Sequence, residues 1–191
     1  MILTGLVDPR DESMLDWAIA GTTKSEARND PKSPGKEIGT STFYHWIDSR
    51  TTKPEDATDE GDMYPQPDGT TLEKGAMVNP DTGNLTDYEE LWDDSELSDG
   101  TPCVVLQTES EEEGCRGMVI LLGEYCQGFM RVGREITLER WKKTRDGQWR
   151  REFRLGNGEL PCGKELLFTS KIRVGEEVVL GGRSWKVVEA A

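Results

Sequence analysis

Long apolar runs are missing from this chain: none approaches the roughly 18 consecutive apolar residues that a membrane-crossing helix requires. Met1-Ile2-Leu3-Thr4-Gly5-Leu6 also lacks the basic flank and long apolar centre of a secretory signal. The two absences predict a soluble protein of the cell interior, cytoplasmic, not secreted and not on a membrane. Histidine is nearly absent, with His45 alone among 191 residues. Cys103, Cys115, Cys126 and Cys162 are scattered without a Cys-x-x-Cys pair, so no zinc set of ordinary spacing can be assembled and free, mostly buried thiols are expected. Asp59-Glu60-Gly61-Asp62 lacks the spacing of an EF-hand loop and reads as a solvated acidic turn. Gly123 to Gly128 and Gly156-Asn157-Gly158 lack the strand-to-helix context of a phosphate loop. No metal and no cofactor are assigned.

Acid is plentiful. The net charge of −14 is uneven: residues 1–100 hold 8 Lys/Arg against 23 Asp/Glu, while residues 101–191 hold 15 against 14. This asymmetry suggests two units with different surfaces, an acidic domain over 1–98 and a second over 99–191, divided in the charged stretch 93–101. Such an acidic face repels phosphate backbones, because bound polyanions are held by Lys/Arg, so nucleic acid is not an expected partner.

Only 34% of residues are hydrophobic, Gly numbers 21 and Pro 9, and the apolar runs are short with turn residues between them. That pattern favours strands over helices. Leu15, Trp17 and Ile19 alternate with Asp16, Ala18 and Ala20 and predict a half-buried strand that stops at Gly21. Residues 22–40, with Pro31, Pro34, Gly35 and Gly39, read as a long loop. A second strand, Thr42 to Ile47, puts Phe43, His45 and Ile47 on one face and Tyr44 and Trp46 on the other. Short strands are expected around Met63-Tyr64 and Ala76 to Val78, since a structureless loop over 48–85 would be unusual in a compact domain. Thr86 to Trp92 reads equally as a helical turn, with Thr86 and Glu89 as a capping box, or as a strand. Beyond residue 101 the strands predicted are 103–108, 118–122, 125–131, 135–141, 148–155, 177–180 and 184–188. Asp146-Gly147 suits a type I′ hairpin turn between two of them. Regular spacing of this kind suggests a barrel.

Asp16 to Thr22, the acidic stretch from Trp46 through Asp59 to Gly69 and on to Asp87-Tyr88-Glu89-Glu90-Leu91-Trp92, Gly123 to Phe129, and Ser184 to Val188 together resemble the fungal HRI family, named for binding a casein-kinase-one homologue. The resemblance runs from about Leu15 to Val188. It implies an all-β fold of two small lipocalin- or calycin-like antiparallel barrels in a cytosolic or nuclear protein, and it carries no catalytic motif across. Members usually have a further N-terminal β segment, whereas 14 residues precede Leu15 here. The first barrel is therefore expected to be incomplete, with an open edge that favours a homodimer.

Three functions follow as expectations. The first is a binding protein for a small apolar molecule or a protein, with Trp17, Tyr44, Trp46, Tyr64, Tyr125 and Phe129 lining the ligand site. The second is a cofactor-free cyclase of the Diels–Alder type in natural-product biosynthesis, which needs shape and one or two placed donors rather than a motif. His45, Asp48 and Arg131 are its candidate catalytic residues, with Asp48, Glu60 and Asp62 as carboxylates near His45 in sequence. The third is an acidic interaction module in which residues 55–99 recruit a basic partner. Lys142, Lys143, Arg145, Arg150, Arg151 and Arg154 form a basic cluster that could meet an acidic surface, including that of a second copy.

Overall fold

The computed structural model describes residues 2–4, 15, 17–30, 32–57, 59–79, 82–163 and 172–191. It is all-β, as expected, with two antiparallel sheets and one 3-10 turn at Pro54–Asp56 among the described residues. The first sheet is a meander of β1 (Ile2–Thr4), β2 (Trp17–Asn29), β3 (Glu37–Asp48), β4 (Asp59–Pro65), β5 (Thr71–Val78) and β6 (Leu85–Trp92). The second holds β7 (Cys103–Ser110), β8 (Cys115–Leu122), β9 (Tyr125–Val132), β10 (Glu135–Lys143), β11 (Trp149–Leu155), β12 (Glu177–Leu180) and β13 (Arg183–Ala190), in the order β11-β10-β9-β8-β7-β13-β12.

Contacts divide the chain into two compact units. The first gathers Met1–Ala20, Trp46–Thr52 and Ser98–Ala191; the second gathers Gly21–His45 and Lys53–Leu97. Compared with a division at residue 98 alone, residues 1–20 and 46–52 go with the C-terminal part.

In the first unit the seven-stranded sheet is buried on both faces. Along β8, Val119 and Leu121 enter one apolar cluster with Leu106, Cys126, Met130, Trp185 and Val187, while Met118 enters another with Phe129, Leu138 and Phe153. Period-two alternation therefore sends Met118 to Leu121 alternately into two apolar clusters, Ile120 packing with Met118, which is why the run is continuously apolar. Ala18, Ala20 and Ile47 complete the second cluster.

Three sequence expectations need correction. The segment 22–40 is not a loop: β2 continues to Asn29 and β3 begins at Glu37, joined by a turn in which Asp30 N–H bonds Lys36 C=O at 2.8 Å and Gly35 takes φ +85°. Residues 22–29 are all exposed, so no apolar alternation marks them; backbone pairing makes the strand, helped by polar links of Ser25 to Ser41 and Arg28 to Asp62. The strand predicted to begin the fold is also preceded by another, because Ile2, Leu3 and Thr4 of β1 pair with Ile19, Ala18 and Trp17 of β2. β1 covers β2 at these three positions and is itself the outermost strand of the sheet. Finally, the hairpin at 144–148 is not type I′, which demands positive φ at both central residues. Here Gly147 is left-handed at φ +81°, Asp146 is not, and Gly147 N–H bonds Thr144 C=O at 2.9 Å, giving a type I turn followed by a glycine bulge.

Candidate functional site

The second unit is built around polar side chains. Its described buried residues are Asp30, Thr40, Ser41, His45, Pro54, Asp59, Gly61 and Glu73. Period two explains how they meet: Phe43 and His45 on β3, Asp59 and Gly61 on β4, Glu73 and Gly75 on β5, and Tyr88, Glu90 and Trp92 on β6 occupy alternate positions, with Phe43 paired to Asp59, Gly61 to Gly75 and Gly75 to Tyr88.

Two glycines make room for the site. A Cβ on Gly61 would strike the Glu73 carboxyl group, and one on Gly75 would strike the Tyr88 ring. Glu73 and Tyr88 thus lie flat across bare backbone and converge. The Tyr88 hydroxyl is 2.8 Å from Glu73 Oε1 and 3.1 Å from Asp59 Oδ1. Trp92 Nε1 donates to Glu73 Oε2 at 2.7 Å, and His45 Nε2 is 3.3 Å from Asp59 Oδ2. Phe43 stacks on Trp92 with ring centroids 6.4 Å apart.

The electrostatics are unusual for a buried carboxyl. Burial pushes Glu73 above its ordinary value, opposed by the Tyr88 and Trp92 hydrogen bonds and reinforced by the Asp59 charge. Glu90, directly opposite Glu73 in the β5–β6 register, is also raised, first by burial and then by Glu73 and Asp59. Burial and the same carboxylates push the Tyr88 phenol far upward. Like charges placed opposite one another on a sheet destabilise it, so this constellation is costly unless a proton neutralises part of it.

The residues singled out from sequence are dispersed. His45 belongs to the network through Asp59, a carboxylate not among those singled out near it in the sequence. Asp48 and Arg131 belong to the first unit. Asp48 Oδ1 accepts from Trp17 Nε1 at 3.0 Å and from the Arg50 N–H at 2.7 Å. Arg131 spends its guanidinium on backbone carbonyls, reaching Asp48 through Nε at 2.9 Å and Nη2 at 2.6 Å, Ser49 at 2.7 Å and Gly133 at 3.2 Å. It is a clamp on the chain that leaves β3, and burial lowers its pKa.

Among the aromatics, Phe129 is fully buried in the apolar core, while Tyr44 and Tyr125 are about half exposed. Lys142 sits over Tyr125, Lys32 over Tyr64 and Arg50 over Trp17. Trp46 lines an open hollow of about 490 Å³ with Gln107, Thr108, Glu109, Glu177, Ser184 and Lys186, a polar lining. Of the basic cluster, Arg151 and Arg154 turn to the buried Glu139. Among the described residues no group of three or more His, Cys, Asp and Glu side chains is arranged for a metal, and no helix is long and apolar enough to cross a membrane.

Glu73 and Glu90 escaped the sequence reading as site residues. Their signal was present: once β5 and β6 are drawn as strands, the inward positions read Glu73-x-Gly75 and Tyr88-x-Glu90-x-Trp92, acids where a core would hold aliphatics.

The whole chain was then compared with known proteins. Residues 3–189 match the family model described as Protein HRI1. The chain belongs to the HRI1 family. Protein HRI1 of Saccharomyces cerevisiae strain ATCC 204508 / S288c is 24% identical over 199 residues, covering 92% of this chain and 79% of the relative. The same protein of strain Lalvin QA23 matches equally, at 24% over the same shares. A crystal structure of an uncharacterized protein, YLR301w, from Saccharomyces cerevisiae superposes with a TM-score of 0.71, at 21% identity, over 99% of this chain and 85% of that one. The all-β HRI1 fold is thereby shared.

Proposed function

We propose that this HRI1-family chain is a non-catalytic binding protein whose second unit takes a basic protein segment. The observation that carries the reading is the surface of β6. Leu85, Asp87, Glu89 and Leu91 are all exposed along one strand face, and Val78, the register partner of Leu85, is exposed with it. Exposed aliphatics at both ends of an acidic row offer apolar contact and charge complementarity together. Residues 53–97 hold 2 Lys/Arg against 14 Asp/Glu, so the field extends well beyond one strand. Capture of a basic partner on immobilised protein should weaken steeply between low and high salt, and should drop further in Leu85→Ser/Leu91→Ser. Salt-insensitive capture would count against it. A homodimer through the N-terminal edge, where β1 is outermost, is the assembly we propose with it; sedimentation at micromolar concentration should give twice the mass of one chain.

A second reading, a small-molecule site or a cofactor-free cyclase in natural-product chemistry, draws support from the His45–Asp59–Tyr88–Glu73 network. A neutral carboxylic acid held beside aromatic rings is a suitable general acid. Native mass spectrometry of protein from its own host separates the readings. A retained metabolite favours the small-molecule site, and its turnover, lost in Glu73→Ala, favours the cyclase.

A further inference from the structure

A phenol has one hydrogen to give, yet the Tyr88 hydroxyl lies within hydrogen-bond distance of two carboxyl groups, 2.8 Å from Glu73 and 3.1 Å from Asp59. If both carboxyls were ionised, one contact would set a bare oxygen lone pair against another in a buried place, which is repulsive. One of the two must therefore be the donor. We propose that Glu73 is protonated at neutral pH, so that Glu73, Tyr88 and Asp59 form a directed chain that holds and releases one proton as a unit.

The direction follows from the other partners. With its hydrogen on Nε2, His45 donates to Asp59 Oδ2, so Asp59 accepts on one oxygen and is placed to accept from Tyr88 on the other. Glu73 is only 1% exposed, faces Asp59 on β4 and Glu90 on β6, and receives the Trp92 N–H at its other oxygen. The groups that act on it from neighbouring elements are Asp59, Tyr88, Glu90 and Trp92, with His45 beyond on Asp59, and among the described residues no Lys or Arg is paired with it. Lys74, next to Glu73 on β5, points to the opposite face and pairs with Glu89. The proton then runs Glu73 Oε1–H to the Tyr88 oxygen and Tyr88 O–H to Asp59 Oδ1, while Glu73 Oε2 accepts from Trp92 and Asp59 Oδ2 from His45. This inference is independent of what the protein binds.

The consequence is a fold whose second unit is weakened by alkali. Glu73 sits above its ordinary 4.5 in the folded state. A carboxyl raised on folding contributes stability that is complete below the ordinary value and is lost as pH climbs through the raised one, because the unfolded chain there binds fewer protons than the folded chain. Glu90 is raised too and adds in the same sense.

The test is carbon-13 NMR of the full chain with labelled glutamate carboxyls, the Glu73 signal being assigned by its disappearance in Glu73→Gln. At pH 7 the wild-type Glu73 carbon should resonate as a protonated acid and shift to the carboxylate position only at higher pH. A Glu73 carbon already at the carboxylate position at pH 7 overturns the proposal, as does a protonated Asp59 beside an ionised Glu73. Stability gives the second readout. Glu73→Gln, which keeps a donor toward the Tyr88 oxygen, should lose about one proton of the wild-type slope of stability against pH. An unchanged slope overturns it as well.

Discussion

Each unit of this protein buries a glutamate, and the two are neutralised in different ways. In the first, Glu139 is 3% exposed and accepts from Arg154 and from Trp141 Nε1 at 2.6 Å, with Arg151 3.6 Å away. In the second, Glu73 also bonds a Trp, with Tyr88 at its other oxygen, but the charged groups that act on it are the carboxyls of Asp59 and Glu90. Burying an isolated charge is too expensive to persist, so a buried carboxylate acquires either a cation or a proton. Glu139 has the cations, and by our inference Glu73 has the proton. The surroundings differ in the same way. The buried apolar side chains among the described residues belong to the first unit apart from Pro54, whereas the second closes over hydroxyls, carboxyls and an imidazole. One unit is held by packing, and the other by a hydrogen-bond network whose worth depends on pH.

This contrast can be broken by substitution. Phe129→Ala, in the apolar unit, should have the largest effect, a loss of about 3–5 kcal/mol in urea unfolding, because the cavity adds to the lost transfer energy. Glu139→Gln should cost about 2 kcal/mol in the same unfolding measurement by removing charge-assisted bonds to Arg154 and Trp141. Gly75→Ala should cost about 1–3 kcal/mol by pushing the Tyr88 ring off the sheet, whereas Gly39→Ala in the same sheet, where a Cβ meets only Met63 at 3.5 Å, should be close to neutral. If Gly75→Ala were as mild as Gly39→Ala, Tyr88 would not be fixed over the sheet and the network would lack its bridge.

Much of the fold was readable in advance because the second sheet obeys simple alternation. Strands such as 118–122 and 177–180 carry their apolar pattern openly, and acidic turns and glycines separate them. The first sheet was harder for two physical reasons. Residues 22–29 pair through the backbone while exposing every side chain, so nothing in their polarity distinguishes them from a loop. The inward residues of β4 and β5 are Asp59, Gly61, Glu73 and Gly75, which read as turn formers until the strands are drawn. His45 was found from sequence because it is the only histidine, but its partner was sought along the chain, at Asp48, Glu60 and Asp62. The register of β3 with β4 brings Asp59 to it. Arg131 was singled out as a donor, and its bonds to the Asp48 and Ser49 carbonyls could not be foreseen without knowing where the chain turns after β3.

The most direct measurement is residue-resolved hydrogen exchange of the whole chain from pH 4.5 upward, corrected for intrinsic rates. The account predicts that amides of β5 and β6 lose protection as pH rises through the raised values of Glu73 and Glu90, while amides of β8 and β9, in the apolar unit, keep theirs. Protection that falls equally in both units, or that grows in β5 and β6 with rising pH, would contradict it.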